Sequence, residues 1–358
     1  MLKITVPFRM KQEIIPLIEA GADELYCGYL PQEWVRKYTA LEFERKGRCA
    51  NFTSFKELKA SVELAHKKGV PVYLTLNGLY VQRQYDVLLK TLDDLKSVDF
   101  DGYIVADLGL LLTLRDRGFK KQIHISTGGT VFNQEAVNFY RELGASRIVF
   151  DRQVTLASMK QLSGANPDIE FEAFILHTLC VYIDGFCTFS HMYESIPIPD
   201  KNDNAGTARK NIPFSVMSSY DISSVWDACA LHYSVRTRRI KGLNDNGRKI
   251  EPVFYKHLTD GVECGACALY DIARTDVKSV KIVGRQLSSE TRLKSMKFIS
   301  RSLRILRDNK DISRKCFIPQ VQALYHKFFD MPGRGPRRGV DLKKGCGGNN
   351  CYHPEVLI

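Results

Sequence analysis

The chain has 358 residues, a hydrophobic fraction of 44% and a formal net charge of +12, which is typical of a soluble globular protein with room for one large domain and an insertion. No apolar run approaches the roughly 20 residues of a membrane-spanning helix, and the first residues lack a signal-like apolar segment. We therefore expect a cytoplasmic protein without membrane insertion, and the positive charge favours an anionic partner such as nucleic acid.

Short apolar strands alternate with helices along most of the sequence. The predicted strands are 3–7, 24–29, 70–76, 102–106, 122–126, 147–150, 169–176 and 279–283, and the predicted helices are 12–20, 54–68, 86–98, 110–117, 133–143, 156–162 and 289–307. Helix 54–68 has the clearest pattern, because Phe55, Leu58 and Val62 recur at the helical period, and Thr53 is predicted to cap its first turn.

Eight strands separated by helices predict an α/β fold of the (β/α)8 TIM-type barrel class. We expect a barrel domain at 1–310, a cysteine-rich insertion at 178–278 between strands 7 and 8, and a basic, cysteine-containing extension at 311–358. A doubly wound open sheet is the alternative, although no glycine-rich phosphate fingerprint follows the first strand.

Polar side chains follow several of the predicted strands. In a barrel of this class the active site lies at the carboxyl ends of the strands. The residues that we expect there as substrate-binding groups are Asn77, Asp107, Arg152, His177 and Arg285. A loop or capping role is the alternative for each, and Asp107 is placed to cap the helix that follows it.

The ten cysteines of a chain predicted to be cytoplasmic favour metal binding or redox chemistry over structural disulfides. Half of them form one group: Cys180, Cys187, Cys229, Cys264 and Cys267. Their spacing is compatible with an iron–sulfur cluster, a four-cysteine zinc site or buried free thiols. Cys316, Cys346 and Cys351, with His353, are candidates for a second metal site, a redox pair or plain packing.

Five segments in chain order resemble peptidase family U32, the collagenase-like family. They are GADELYCG (21–28), RCANFTSFKEL (48–58), NQEAVNFYRELGASRIVFDRQVTL (133–156), FEAFILHTLCVYIDGFC (171–187) and SVKIVGR (279–285). The resemblance implies a four-iron, four-sulfur cluster with its first two ligands at Cys180 and Cys187. The third ligand then falls on Cys229, and the fourth on Cys264, with Cys267 as the alternative.

The sequence departs from the family pattern near the seventh strand. Leu176 occupies the place where the family often has histidine, and His177 follows one residue later. Because side chains alternate along a strand, His177 is expected to point to the opposite side. Gln153 replaces the glutamate expected after Arg152.

The family resemblance also implies a function. It predicts oxygen-independent hydroxylation of RNA or of a small aromatic substrate, with prephenate as a possible oxygen-donating cosubstrate whose anionic group Arg152 and Arg285 would bind. Two basic stretches, 234–249 and 332–345, suit RNA phosphates. A protease and a non-catalytic electron-transfer partner of another subunit are the alternatives, and the chain lacks the Gly-x-Ser-x-Gly and His-Glu-x-x-His motifs.

Overall fold

A computed structural model describes residues 1–38, 50–180, 182–187, 262–329 and 351–357, together with the backbone of residues 233–235 and 253–255. Eight parallel strands form a barrel: β1 (Lys3–Pro7), β2 (Glu24–Gly28), β3 (Val72–Leu76), β4 (Gly102–Val105), β5 (Gln122–Ile125), β6 (Arg147–Val149), β7 (Glu170–Leu176) and β10 (Ser279–Ile282). Two further strands, β8 (Tyr233–Val235) and β9 (Val253–Tyr255), pair with each other in antiparallel fashion.

The barrel closes because β1 has a paired neighbour on each side. Lys3 of β1 lies opposite Ser279 of β10, and Thr5 lies opposite Glu24 of β2. The remaining strands follow in the order β2, β3, β4, β5, β6, β7 and β10. This closed parallel order confirms the predicted (β/α)8 barrel and rules out the open sheet. The predicted insertion lies between β7 and β10.

The described helices are α1 (Ile14–Glu19), α2 (Gln32–Lys37), α3 (Phe55–His66), α4 (Tyr85–Leu95), α5 (Leu108–Asp116), α6 (Gln134–Glu142), α7 (Leu156–Ala165), α8 (Leu269–Ile272), α9 (Ser289–Asp308) and α10 (Arg314–Phe329). Several begin at a polar cap, as at Asn133 and Thr155. The predicted cap of α3, Thr53, is wrong: the side chain of Ser54 accepts the N–H of Glu57 instead. None of the described helices has the length and hydropathy to cross a membrane.

Helix α10 packs against α9 and was not predicted from the sequence. Phe298 of α9 lies 6.1, 5.9 and 5.2 Å, between ring centroids, from Tyr325, Phe328 and Phe329 of α10. A proline within a pattern argues against a helix, and Pro319 lies inside α10. The aromatic contacts bury part of each of these rings and so hold α10 on the barrel.

A buried ionic layer connects four strands inside the barrel. Arg147 of β6 lies 2.5 Å from Glu24 of β2 and 3.2 Å from Glu172 of β7, and Lys281 of β10 lies 2.7 Å from Glu172. The hydroxyl of Thr5 lies 3.0 Å from an oxygen of each carboxylate and shares its one proton between them. Although burial opposes ionisation, Lys281 and Arg147 lower the pKa of Glu172 to about 2. Every charge in the layer is thus paired, as a buried charge requires.

Candidate active site at the mouth of the barrel

Arg152, directly after β6, binds the loop that follows β7. Its Nε donates to the carbonyl oxygen of Thr178 at 2.7 Å, and its Nη1 lies 2.7 Å from Oδ2 of Asp184. The guanidinium also lies over Phe174, with Cζ 4.6 Å from the ring centroid. The side chains of Arg152 and Asp184 are only 6% and 11% exposed. Arg152 therefore fixes the cysteine loop, defined as residues 178–187, against the barrel.

Asp184 links the cysteine loop to two other strand ends. Its Oδ2 accepts a 2.5 Å hydrogen bond from the hydroxyl of Thr127, and its backbone N–H donates to Oδ2 of Asp151 at 3.4 Å. Burial, with the nearby charge of Asp184, raises the pKa of Asp151 to about 6. Among the described residues no group bonds to Oδ1 of Asp151. Asp151 therefore lies at the barrel mouth, the end of the barrel formed by the carboxyl ends of the strands. Its raised pKa is suited to a general acid or base.

The backbone turns sharply at the end of β7. His177 and Thr178 have φ values of 66° and 57°, in the left-handed region that non-glycine residues avoid. Each such residue costs about 1–3 kcal/mol and persists only where other contacts hold it. Here Glu263 accepts both N–H groups, through its carbonyl oxygen for His177 and its carboxylate for Thr178. This turn directs the chain from β7 into the cysteine loop.

The side chain of His177 points away from the mouth, towards α9. Its Nε2 lies 2.6 Å from Oγ of Ser295, and its ring centroid lies 6.5 Å from that of Phe329. Burial lowers the pKa of His177 to about 4, so the ring is neutral at pH 7. This direction agrees with the strand alternation noted in the sequence, and it separates His177 from the other candidate substrate-binding groups.

Cys180 and Cys187 belong to the same loop. Cys180 is half-buried, Cys187 is buried, and the N–H of Tyr182 lies 3.4 Å from Sγ of Cys180. Burial raises the pKa of Cys180. The N–H of Tyr182 and the charge of Arg152 oppose this rise, whereas Asp184 and Cys187 add to it. Cys187 ends the loop, and its backbone N–H donates to the carbonyl oxygen of Asp184 at 3.3 Å.

Cys264 joins the end of β7 to the last described segment of the chain. It forms an antiparallel bridge with Leu176 and a parallel bridge with Cys351. Its Sγ accepts the N–H of Ala266 at 3.3 Å. Cys267 is buried in the short turn of 3-10 helix that follows. Cys264 thus lies beside the end of β7, the strand that leads into the loop of Cys180 and Cys187, and Cys267 follows three residues later.

The structure describes only some of the remaining candidate ligands and little of the basic stretches. Cys229, Cys346 and the stretches 234–249 and 332–345 lie outside the described residues, apart from the backbone of residues 234 and 235. Cys316 is exposed on α10, far in sequence from the loop. Within the described ranges no three Cys, His, Asp or Glu side chains are grouped as a metal site requires. The ligand set implied by the family resemblance therefore stays a prediction.

Arg285, after β10, is buried and contacts one residue of β3 and one residue of the segment before α3. Its Nη1 donates to Oδ1 of Asn51 at 2.9 Å and to the hydroxyl of Thr75 at 2.7 Å. Gly284 before it has a φ of 102°, which favours glycine and lets the chain turn inwards. The structure thus places Arg285 in a polar cluster at β3, β10 and the segment before α3, separate from the Arg152 contacts.

Asp107 and Asn77 have contrasting surroundings. Asp107 caps α5 by accepting the N–H of Leu110 at 2.7 Å, and it also accepts the hydroxyl of Tyr85 and the N–H of Tyr80. These are the contacts of a helix-capping residue, which was the alternative to a substrate-binding role for Asp107. Oδ1 of Asn77 is buried without a hydrogen bond among the described residues. An unfilled buried acceptor of this kind is available to a ligand donor.

Three of the residues that organise the mouth were not predicted as site residues. Asp184 lies between Cys180 and Cys187 in the sequence, and Glu263 directly precedes Cys264. An acidic residue this close in sequence to a candidate ligand is the sequence signal that could have identified Asp184 and Glu263 as site residues. Asn51 offers no comparable signal, because only folding brings it to Arg285.

The sequence is similar to proteins of one family. A family model described as Peptidase family U32 matches residues 10–330. The chain is 30% identical over 177 residues to an uncharacterized protease of Methanocaldococcus jannaschii, covering 48% of this chain and 40% of that protein. It is 29% identical over 174 residues to a tRNA hydroxylation protein of Bacillus subtilis, covering 49% of this chain and 38% of that protein.

Two further matches extend over more of the chain. The sequence is 24% identical over 288 residues to a 23S rRNA 5-hydroxycytidine synthase of Escherichia coli, covering 76% of this chain and 38% of that enzyme. A U32 peptidase of known structure aligns with a TM-score of 0.40 at 14% identity, covering 79% of this chain and 94% of that one. The chain spans about two fifths of the length of the curated relatives named here. Because the family model covers most of the sequence, the chain belongs to peptidase family U32.

Proposed function

We propose that this protein hydroxylates a pyrimidine base of RNA without using molecular oxygen. The observation that carries the proposal is the cysteine loop, which Arg152 and Asp184 hold at the barrel mouth, in a chain whose relatives include tRNA hydroxylation proteins and an rRNA 5-hydroxycytidine synthase. The barrel mouth is where enzymes of this fold bind their substrates. A base must be splayed out of its stack to reach such a mouth.

The proposed cofactor is a four-iron, four-sulfur cluster. Cys180, Cys187, Cys229 and Cys264 would hold it, with Cys267 as the alternative fourth ligand and zinc as the alternative metal. Thiolates are the ligands that such clusters require, and backbone N–H groups already point at two of these sulfurs. When bound, the cluster would supply electron transfer to the site.

The proposed roles of the other mouth residues follow from their contacts. Arg152 and Asp184 position the cysteine loop. Asp151 is the carboxyl proposed to exchange a proton with the substrate, because its buried Oδ1 has no hydrogen-bond partner among the described residues and its pKa is raised. A small anionic cosubstrate, for which prephenate is the candidate, would provide the oxygen atom as hydroxide. The proton released when C–H becomes C–OH would pass to Asp151, and the two electrons would pass to a two-electron acceptor that the reaction also requires. The Arg285 cluster and Asn77 are the groups proposed to bind it or the base.

Nucleoside mass spectrometry of RNA from a gene-deletion strain tests this function. We expect one hydroxylated pyrimidine to disappear, to return with the wild-type gene, and to stay absent with the Cys180→Ser variant. Unchanged nucleosides in tRNA and rRNA would contradict RNA hydroxylation. Cleavage of casein or denatured collagen by the metal-free protein would then favour a protease.

A further inference from the structure

Helix α9 carries a row of four cations along one face. Lys294, Lys297, Arg301 and Arg304 are spaced by three, four and three residues, which places them within one sector of about 80° on a helix with 3.6 residues per turn. At 1.5 Å per residue the row is about 15 Å long. The last three residues are exposed and Lys294 is half-buried. No salt bridge involves any of the four among the described residues.

Aromatic side chains of α10 lie beside two members of this cation row, Lys294 and Arg301. Nζ of Lys294 lies 5.7 Å from the ring centroid of Phe329, and Cζ of Arg301 lies 5.1 Å from that of Phe328. These cation–π contacts orient the charged ends of the two side chains, and neither cation forms a salt bridge with another described residue.

A groove between α9 and α10 extends the cation row. Arg301 and Arg304 line it from α9, and Gln320 and Lys327 line it from α10, with Asp308 as the acidic residue of its wall. The groove has a volume of about 450 Å³. Lys327 is exposed and adds a fifth cation next to the row. Guanidinium, ammonium and amide donors on both walls suit phosphate oxygens.

The cation row begins next to the barrel mouth. Ser295, adjacent to Lys294, bonds to His177 directly after β7, and the ring of Phe329 lies 6.5 Å from the ring of His177. From there the row follows α9 along the outside of the barrel. A strand of nucleic acid with one base in the mouth could therefore lie along it.

Helices α9 and α10, with the residues between them, carry more net positive charge than the rest of the chain. Residues 289–329 contain ten Lys and Arg and three Asp and Glu, a net charge of +7 out of +12 for the whole sequence. Cations on one helix face are 4.5–6 Å apart along the axis when they are three or four residues apart. Such a row can neutralise successive phosphates of one strand and release their counterions.

We propose that the cation row of α9 and the adjoining groove bind the sugar–phosphate backbone of the RNA whose base enters the mouth. This inference rests on the proposed function and names the surface that holds its substrate. Phosphate contacts position a nucleic acid without reading its sequence. The surface therefore determines affinity and its salt dependence, while the mouth selects the base.

Fluorescence anisotropy with labelled tRNA from the deletion strain tests the surface. The variant Lys294→Gln/Lys297→Gln/Arg301→Gln/Arg304→Gln is compared with a control that loses four exposed cations of α3 and the residues after it, Lys56→Gln/Lys59→Gln/Lys67→Gln/Lys68→Gln. We expect Kd at about 0.1 M salt to rise at least tenfold for the first variant only. The slope of log Kd against log salt should fall by about 3, since each lost phosphate contact removes about 0.7–0.9.

Equal tRNA affinities and salt slopes for the two variants would overturn the inference, even if the deletion strain lacks a hydroxylated base. Weakened tRNA binding by the row variant, together with unchanged nucleosides in the deletion strain, would support the surface and contradict only the proposed reaction. Binding to phosphatidylserine vesicles without binding to tRNA or to rRNA would overturn both proposals.

Discussion

At the scale of single residues, the mouth depends on charged groups that are buried and paired. Arg152 and Asp184 connect the end of β6 to the cysteine loop, and Glu263 holds the two left-handed residues at the end of β7. The sequence singles out Arg152, because it follows a strand within a recognisable motif, but as a group that binds an anionic cosubstrate and not as the partner of Asp184. Its partner Asp184 is 32 residues away, and no local pattern connects the two.

Replacing Asp184 with Asn should destabilise the protein. The change leaves the guanidinium of Arg152 buried without its carboxylate, which costs about 3 kcal/mol. Urea unfolding followed by circular dichroism measures this free energy. The control is Asp168→Asn, whose side chain is 57% exposed and pairs with Arg141, and it should cost less than about 1 kcal/mol. Equal losses would contradict a tethering role for Asp184.

His177 should make stability depend on pH. Its pKa is lowered by burial to about 4, against about 6.5 in an unfolded chain. As pH falls from 6.5 towards 4, the unfolded state binds a proton that the folded state does not, so the folded state loses up to roughly 3 kcal/mol. Above pH 6.5 this contribution is constant.

The variant His177→Asn tests this effect, because asparagine tolerates the left-handed backbone. The difference in unfolding free energy between variant and wild type should change between pH 6.5 and 4 in favour of the variant. A difference that stays constant over this range would show that His177 is not buried in its neutral form.

At the scale of elements, strands and most helices follow from the sequence, whereas α10 does not. Strand β1 begins and ends at the predicted residues, because a short apolar run buried on both faces has clear limits. Helix α10 is stabilised by contacts with Phe298 that lie outside its own sequence, and it contains Pro319. Tertiary packing of this kind is invisible to local propensity.

The variant Phe298→Ala tests whether α10 is part of the folded unit. Phe298 is fully buried between α9 and α10, so its truncation should cost about 3–5 kcal/mol. The control is Phe139→Ala, where the ring is 45% exposed and the cost should be below about 1 kcal/mol. Similar midpoints in urea for the two variants would contradict the packing of α10 on α9.

At the scale of the whole molecule, the closed barrel brings together groups that are far apart in the sequence. The alternation of strands and helices predicts the barrel and therefore the edge at which Arg152, Arg285 and Asn77 lie. It does not predict which of them meet. Arg285 finds its partners 234 and 210 residues away, and only the completed barrel determines such contacts.

In the proposed function, the cysteine loop at the barrel mouth holds an iron–sulfur cluster for RNA hydroxylation. Anaerobic purification followed by iron, sulfide and zinc analysis tests it most directly. We predict about four iron and four sulfide per chain, their loss in Cys180→Ser, and their retention in Cys316→Ser, which changes an exposed cysteine of α10. Stoichiometric zinc without iron in the wild-type protein would contradict an iron–sulfur cluster at this site.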